Sequence, residues 1–262
     1  MKMPSARQFI LDRLQRGYYT FTREEIDRVT GGGNATLMAL LRLRRQGWVF
    51  SPAKGLYIII DPQHQGNGYL PVEWFIDEWM GYSGGEYYIG LLSAAMLHGA
   101  AHHKPQVTQV VRNRQSANLH KGAYHVDFFY KQEIVAVMWE QRKSPAGYYR
   151  ISTPETTAYD LLRYPHACPS LDLAATILAE LGERLEAERL AQLVDLPTET
   201  SVLQRLGWLL DTTGWEEKTL SLAQRLHERR RVWQPLRTDA PHAGVRDTRW
   251  RLLINADVEV EA

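Results

Sequence analysis

The stretch NATLMALLRLRRQGWVFSPAKGLYIII, residues 34–60, decides the fold of the first part of the chain, because it predicts a helix followed by two strands. Three leucines recur at the spacing of one helix face and are expected to point into a core: Leu37, Leu40 and Leu43. The helix, predicted over residues 35–46, is expected to be capped by Asn34 and ended by Gly47. Two short apolar segments then predict a pair of strands, joined by a turn that contains Lys54.

Two further helices are predicted before this stretch, which completes a winged helix-turn-helix domain. An apolar stripe predicts the first helix over residues 4–16. The second begins after Thr22, because Thr22 and Glu25 have the spacing of a capping box. Residues 30–33 then form a glycine-rich turn. The polar, glycine-containing segment 61–68 follows the last strand and predicts a domain boundary.

The predicted fold class is α+β. The winged helix-turn-helix occupies residues 1–63, and a larger mixed C-terminal domain occupies residues 64–262. Strands and helices are mixed in the C-terminal domain to about residue 165, and helical patterns dominate residues 166–235. One helix of this domain is predicted over residues 86–99, where small residues are frequent.

Basic residues are concentrated at the start of the chain. Up to Ile60 there are ten Lys and Arg against four Asp and Glu, a net charge of +6, whereas the whole chain carries only +1. A basic N-terminal part followed by an acidic remainder is expected where only the N-terminal part binds a polyanion such as DNA.

The helix over residues 35–46 has a second face suited to DNA. Small, apolar and basic residues recur on it at helical spacing: Ala35, Met38, Ala39, Arg42 and Arg45. Small residues near the start of a helix let its backbone enter a major groove about 12 Å wide. The arginines can then reach phosphates or guanine edges, and Lys54 in the turn can touch the backbone or the minor groove. Winged helices also serve as protein-docking modules, which is the alternative interpretation.

Three groups of residues have the types found in enzymes, but none has the spacing that the chemistry needs. Residues 81–85 match the Gly-x-Ser-x-Gly elbow of hydrolases, yet a helix and not a strand is predicted before Ser83. One group lacks the carboxylate or cysteine of a metal site: His98, His102 and His103. Another does not share one strand face, as a nuclease requires: Asp127, Glu140 and Lys143. We therefore expect no catalytic residue, no metal and no cofactor.

The remaining global features favour a cytoplasmic protein. Cys168 is the single cysteine, so no internal disulfide can form. No apolar run is long enough for a membrane helix, and the first residues lack the pattern of a secretory signal. We expect no membrane partner.

Five segments that follow the predicted winged helix resemble the AbiEi family of bacterial antitoxins. They are YYIGLLSAA at 87–95, LHGA at 97–100, PQV at 105–107, STPETTAYDL at 152–161 and QRLG at 204–207. The resemblance implies the antitoxin of an AbiE-type pair, classed as type IV and linked to phage resistance. It implies a winged helix that binds inverted repeats at its own promoter and represses the operon. It also implies a C-terminal domain that counteracts the nucleotidyltransferase-like toxin AbiEii without requiring a stable complex.

By position, the resemblance gives a DNA-contact role to residues of the third helix and the turn: Asn34, Thr36, Met38, Arg42, Arg45 and Lys54. Three basic residues of the same domain complete the candidate set: Arg23, Arg28 and Arg44. No residue is assigned to antitoxicity, and direct binding of the toxin stays open. The competing hypothesis is a nucleic-acid-processing enzyme whose winged helix delivers a catalytic C-terminal domain.

Overall fold

The computed structural model describes residues 5–66, 69–100 and 106–260. Compactness divides the chain into two units, each built from three stretches of sequence. Unit 1 comprises Met1–Tyr87, Arg112–Tyr130 and Gln141–Arg150. Unit 2 comprises Tyr88–Val111, Lys131–Glu140 and Ile151–Ala262. Helices and strands occur in both, which confirms the α+β class, while a domain boundary after residue 63 stays a prediction.

The first elements of unit 1 are three helices and three strands. They are α1 (Ala6–Gln15), β1 (Thr20–Thr22), α2 (Arg23–Thr30), α3 (Gly33–Arg45), β2 (Val49–Ala53) and β3 (Leu56–Ile59). The strands form an antiparallel sheet in the order β1-β3-β2. Buried side chains from every one of these elements form one apolar core: Phe9, Ile10, Phe21, Ile26, Leu40, Leu43, Val49 and Ile59. This element order is that of a winged helix-turn-helix.

Local sequence signals account for the start of α2. The Thr22 side chain accepts a hydrogen bond from the Glu25 N–H at 3.3 Å, and the Thr22 N–H donates to Glu25 Oε2 at 2.7 Å. Both halves of the predicted capping box are therefore present. Gly31 ends the helix with a φ of +83°, the left-handed conformation that favours glycine.

The start of α3 differs from the prediction. The helix begins at Gly33, and its N-cap is Gly32, which has a φ of +71° and offers no side-chain hydrogen bond. Asn34 is therefore a residue of the first turn and does not cap the helix. Leu37 is 44% exposed, and Thr36 takes the inward position in its place. The inward face thus begins one residue earlier than the leucine spacing predicts.

Unit 1 contains further helices and strands, some of which pack on β2. They are α4 (Pro62–Gln65), α5 (Ile76–Ser83), β6 (Leu119–Lys121) and β7 (Tyr124–Tyr130). The ring of Phe50 stacks on that of Tyr124 with centroids 4.1 Å apart, and Phe75 meets Tyr124 edge-on at 5.7 Å. The Tyr124 hydroxyl also accepts a hydrogen bond from the Leu70 N–H at 2.8 Å.

A six-stranded sheet has the strand order β6-β7-β5-β4-β9-β8. Its other members are β4 (Tyr87–Ile89), β5 (Thr108–Arg112), β8 (Trp139–Ser144) and β9 (Gly147–Ser152). The helix predicted over residues 86–99 is wrong in its first part, because β4 precedes a shorter helix, α6 (Leu91–Leu97). All three residues of β4 are buried, and two are tyrosines and one β-branched, a composition that favours a strand.

The later part of unit 2 is mainly helical, and this region includes most of residues 166–235, as predicted. Its helices are α7 (Pro154–Arg163), α8 (Leu171–Leu181), α9 (Ala187–Gln192), α10 (Thr200–Thr212) and α11 (Glu216–His227). A small sheet follows, formed by β10 (Gln234–Pro235), β11 (Val245–Asp247) and β12 (Leu252–Ile254). Among the described residues, no helix combines the length and apolar character needed to cross a membrane.

Candidate nucleic-acid interface

The exposed face of α3 carries most of the predicted DNA contacts. Its exposed side chains, here called the recognition face, are Asn34, Ala35, Leu37, Met38, Leu41, Arg42, Arg44 and Arg45. Ala39, predicted on this face, is only partly exposed. Arg42 lies along the helix, where its Nε donates to the Met38 carbonyl oxygen at 3.3 Å. The face therefore combines small and apolar side chains in its first turns with three arginines towards its end.

Five cations on the recognition face, on α2 and in the turn between β2 and β3 have no carboxylate partner within the described residues. They are Arg28, Arg42, Arg44, Arg45 and Lys54, and all are exposed. Arg13, by contrast, pairs with Glu25 at 3.0 Å. Cations without an internal counter-ion remain available to an external polyanion, so this part of unit 1 presents a positively charged surface.

Arg23 has a different environment from the other predicted contacts. Its Nε donates to Asp27 Oδ2 at 2.7 Å, and a terminal nitrogen donates to the Gly33 carbonyl oxygen at 3.1 Å. The hydrogen bond with Asp27 raises the pKa of the guanidinium. Arg23 therefore holds the turn between α2 and α3, and its charge is already partly satisfied.

Thr36 lies inside the winged helix and not on its surface. It is 2% exposed, and its hydroxyl is 2.6 Å from the hydroxyl of Thr30. Thr30 in turn donates to the Ile26 carbonyl oxygen at 2.8 Å. A side chain in this position cannot reach DNA, so a contact through Thr36 does not fit the structure and Thr36 is no part of the recognition face.

The turn between β2 and β3, the wing, is tight. Ala53 pairs with Leu56, so the turn consists of Lys54 and Gly55, and Gly55 has a φ of +86°. The Tyr82 hydroxyl of α5 donates to the Lys54 carbonyl oxygen at 3.0 Å, and the Arg23 N–H donates to the Gly55 carbonyl oxygen at 2.7 Å. The Lys54 side chain is exposed at the tip while its backbone is held in place. Tyr82 gives no local sequence signal for this role.

The STPETTAYDL segment of the family resemblance forms a buried polar network in unit 2. Thr153 caps α7 by accepting from the Thr156 N–H at 3.2 Å, and the hydroxyls of Ser152 and Thr157 are 2.6 Å apart. These side chains are buried, and their hydrogen bonds are internal. The segment therefore has a structural role at the start of α7.

Asp160, from the same segment, forms a buried ion pair with Lys131 at 2.9 Å. The Tyr88 hydroxyl donates to the other carboxylate oxygen at 2.6 Å. Burial, and then the negative charge of Asp160, raise the pKa of Tyr88 well above its usual value. Sequence reasoning did not single out Lys131, since nothing in its neighbourhood along the chain indicates a buried lysine.

The QRLG segment also has a packing role. The Gln204 side-chain amide donates to the Trp250 carbonyl oxygen at 2.7 Å. A Cβ atom on Gly207 would lie 2.2 Å from the Trp250 ring, so only glycine lets that fully buried ring approach α10. The segment therefore positions the end of the chain against α10.

The residues considered for enzyme chemistry have ordinary structural partners. Ser83 is the last residue of α5, and its carbonyl oxygen accepts a hydrogen bond from Arg114. His98 is buried and its Nε2 donates to the Ser152 carbonyl oxygen at 2.8 Å, while His102 and His103 lie outside the described residues. Asp127 pairs with His120 at 2.7 Å.

Unit 1 thus begins with the element order of a winged helix, with a basic recognition face, and unit 2 is mainly helical from α7 to α11. Residues 88–212 match the model of the AbiEi antitoxin C-terminal domain. The match covers just under half of the chain and confirms, for this part, the resemblance seen in the sequence. No curated protein matches the chain.

One solved structure with a similar fold is the crystal structure of the RV2827C protein from Mycobacterium tuberculosis. It aligns with a TM-score of 0.68 over 96% of this chain and 92% of that chain, at 18% sequence identity. The two chains share a fold along nearly their whole length.

Proposed function

We propose that the chain is the antitoxin and DNA-binding autorepressor of a bacterial toxin–antitoxin operon. The observation that carries the DNA-binding part is the set of five exposed cations on the recognition face, α2 and the wing that have no carboxylate partner among the described residues. Inverted repeats at the operon's own promoter are the proposed target.

In this proposal α3 enters the major groove of the operator. Ala35 allows close approach of the first turn, and Arg42 and Arg45 contact guanine edges or phosphates. The exposed apolar side chains of the face are suited to thymine methyl groups: Leu37, Met38 and Leu41. Lys54 contacts the DNA backbone from the wing, and its position is supported by the Tyr82 hydrogen bond.

The antitoxin part of the proposal rests on the domain matched at residues 88–212. This domain counteracts an AbiEii-like, nucleotidyltransferase-type toxin, by a route that needs no stable complex and no chemistry from this chain. Co-expression with the toxin tests this directly: rescue of growth by the chain supports it. Turnover of a nucleotide or nucleic acid by the purified chain would instead favour the nucleic-acid-processing enzyme.

A gel-shift titration with a duplex from the region upstream of the gene, repeated at several salt concentrations, tests the DNA-binding part. The double variant Arg42→Ala/Arg45→Ala is expected to lose about 1–3 kcal/mol of binding free energy for each arginine that reads a base. The matched control is Lys143→Ala/Arg184→Ala, which removes two exposed cations outside the winged helix. Unchanged affinity in Arg42→Ala/Arg45→Ala would overturn the assignment of α3.

Protein docking by α3 is the second candidate, because the recognition face exposes three large apolar side chains. Leu41→Ser distinguishes the two functions. If α3 reads DNA, this variant weakens operator binding; if α3 docks a protein, operator binding is unchanged and capture of the co-expressed toxin is lost.

A further inference from the structure

Two arginines at the end of β5 have no carboxylate partner within the described residues. Arg112 is 3% exposed, and its two terminal nitrogens donate to Ser116 Oγ at 2.7 Å and to the Gly84 carbonyl oxygen at 2.6 Å. Its buried Nε makes no hydrogen bond. Arg114 is exposed and donates to the Ser83 carbonyl oxygen at 2.7 Å. A buried cation normally has a negatively charged partner in the protein. Two neighbouring arginines without one therefore favour the binding of an external anion.

A cleft of about 420 Å³ opens beside these arginines. It is here called the Arg114 cleft, and its lining includes Arg114, Ser116, Phe128 and Tyr130. No acidic residue contributes to the lining. The Arg112 guanidinium lies over the ring of the lining residue Phe128, 5.6 Å from its centroid. The cleft thus combines positive charge, a hydroxyl donor and aromatic surface.

The Arg114 cleft is connected to the wing by one short segment of α5 and the residues after it. Tyr82 donates its hydroxyl to the Lys54 carbonyl oxygen, and the next two carbonyl groups accept from the arginines. Consecutive residues of one segment therefore hold the wing tip and both guanidinium groups. Residues 82–84 therefore link the wing tip to the arginines beside the cleft.

We propose that the Arg114 cleft binds a phosphate group of the DNA whose backbone the wing contacts. This inference rests on the proposed DNA-binding function and adds a contact outside the winged helix. The planar Arg114 guanidinium is suited to two parallel hydrogen bonds to phosphate oxygens. Ser116 lines the cleft, and Arg112 adds positive charge next to it, because the Arg112 guanidinium donates to the Ser116 hydroxyl oxygen.

The test is a salt titration of operator binding by Arg114→Ala. Loss of one phosphate contact is expected to make the slope of log K against log salt shallower by about 0.9. The affinity of the variant is then about eightfold weaker than that of the unchanged chain at 0.1 M salt, and almost equal to it at 1 M. Lys143→Ala removes an exposed cation of unit 1 from the edge strand β8 and is the control. Matching circular dichroism and melting temperature of all three proteins exclude misfolding as the cause.

The outcomes separate this inference from the proposed function. Absence of operator binding by the unchanged chain overturns the proposed function itself. Operator binding that is equally tight and equally salt-dependent in Arg114→Ala overturns only the cleft. Equal losses in Arg114→Ala and Lys143→Ala also overturn it, because the effect would then come from net charge alone.

Discussion

The hydroxyl of Tyr82 donates a 3.0 Å hydrogen bond to the carbonyl oxygen of Lys54, at the tip of the wing. A Cβ atom on Gly55 would lie 2.6 Å from that hydroxyl oxygen. Glycine is therefore needed at this position both for its positive φ and for the room that Tyr82 occupies. A residue beyond the winged helix thus fixes the conformation of the wing.

Tyr82→Phe removes this hydrogen bond and leaves the ring in place. The free energy of unfolding is expected to fall by about 0.5–1.5 kcal/mol, the net value of one such bond, and operator affinity is expected to fall with it because Lys54 is no longer held. Urea unfolding and gel-shift titration measure the two effects. Tyr148→Phe is the control, since Tyr148 is 59% exposed. Equal stability of the two variants would show that the Tyr82 bond contributes nothing.

Asp160→Asn leaves the Lys131 ammonium buried without its counter-charge. The Lys131 side chain is 4% exposed and that of Asp160 is fully buried, so the variant is expected to lose about 3–5 kcal/mol of stability. Chemical denaturation followed by the fluorescence of unit 2 measures this loss. The double variant Lys131→Met/Asp160→Asn should lose less than the sum of the two single variants, because it leaves no unpaired charge. Strict additivity would contradict a coupled pair.

Glu155 predicts a pH dependence of stability. The residue is 2% exposed, one carboxylate oxygen accepts from the Glu186 N–H at 2.8 Å, and the other has no hydrogen bond. Burial raises the pKa of Glu155 above its usual value of 4.5. A raised pKa means that the folded state holds the proton more tightly, so the contribution of Glu155 to stability is complete below pH 4.5 and is lost as the pH rises through the folded-state pKa.

Glu155→Gln removes this dependence while keeping an acceptor for the Glu186 N–H. The variant is therefore expected to gain stability relative to the unchanged chain as the pH increases from 4 to 7, measured by urea unfolding at each pH. Glu217→Gln, at an exposed position of α11, is the control and should show no such trend. A stability difference that is independent of pH would refute the assignment to Glu155.

Cys168 is expected to be unreactive in the folded chain. The thiol is 4% exposed, and burial raises its pKa from 9.0 to about 11. Since only the thiolate attacks, a two-unit increase lowers the reactive fraction at pH 8 by about a hundredfold. Labelling with a disulfide reagent at pH 8, native against urea-unfolded, measures this ratio. Similar rates in the two states would contradict the burial of the thiol.

Features with a local cause were predictable from the sequence. The capping box of Thr22 and Glu25 and the glycines that end α1 and α2 act within a few residues, and the structure has them as expected. The exposed arginines of α3 follow from helical spacing in the same way. Each of these signals depends on backbone geometry that neighbouring residues alone determine.

Features that depend on distant partners could not be predicted. Thr36 takes the inward position in place of Leu37, where its hydroxyl meets that of Thr30, and the helix starts two residues earlier than predicted. Lys131 finds Asp160 and Tyr82 finds Lys54 only through tertiary packing, since 28 or more residues separate each pair along the chain. The spacing of residues within one segment does not predict such contacts.

The stacking of Phe50 on Tyr124 affects how the chain folds during its synthesis. The recognition helix leaves the ribosome early, but the ring that covers Phe50 is translated 74 residues later. The last stretch of the same compact unit, Gln141–Arg150, follows later still. A nascent chain therefore keeps an uncovered aromatic surface on β2 until Tyr124 has been synthesised, and chaperone contact is expected to be concentrated in that interval.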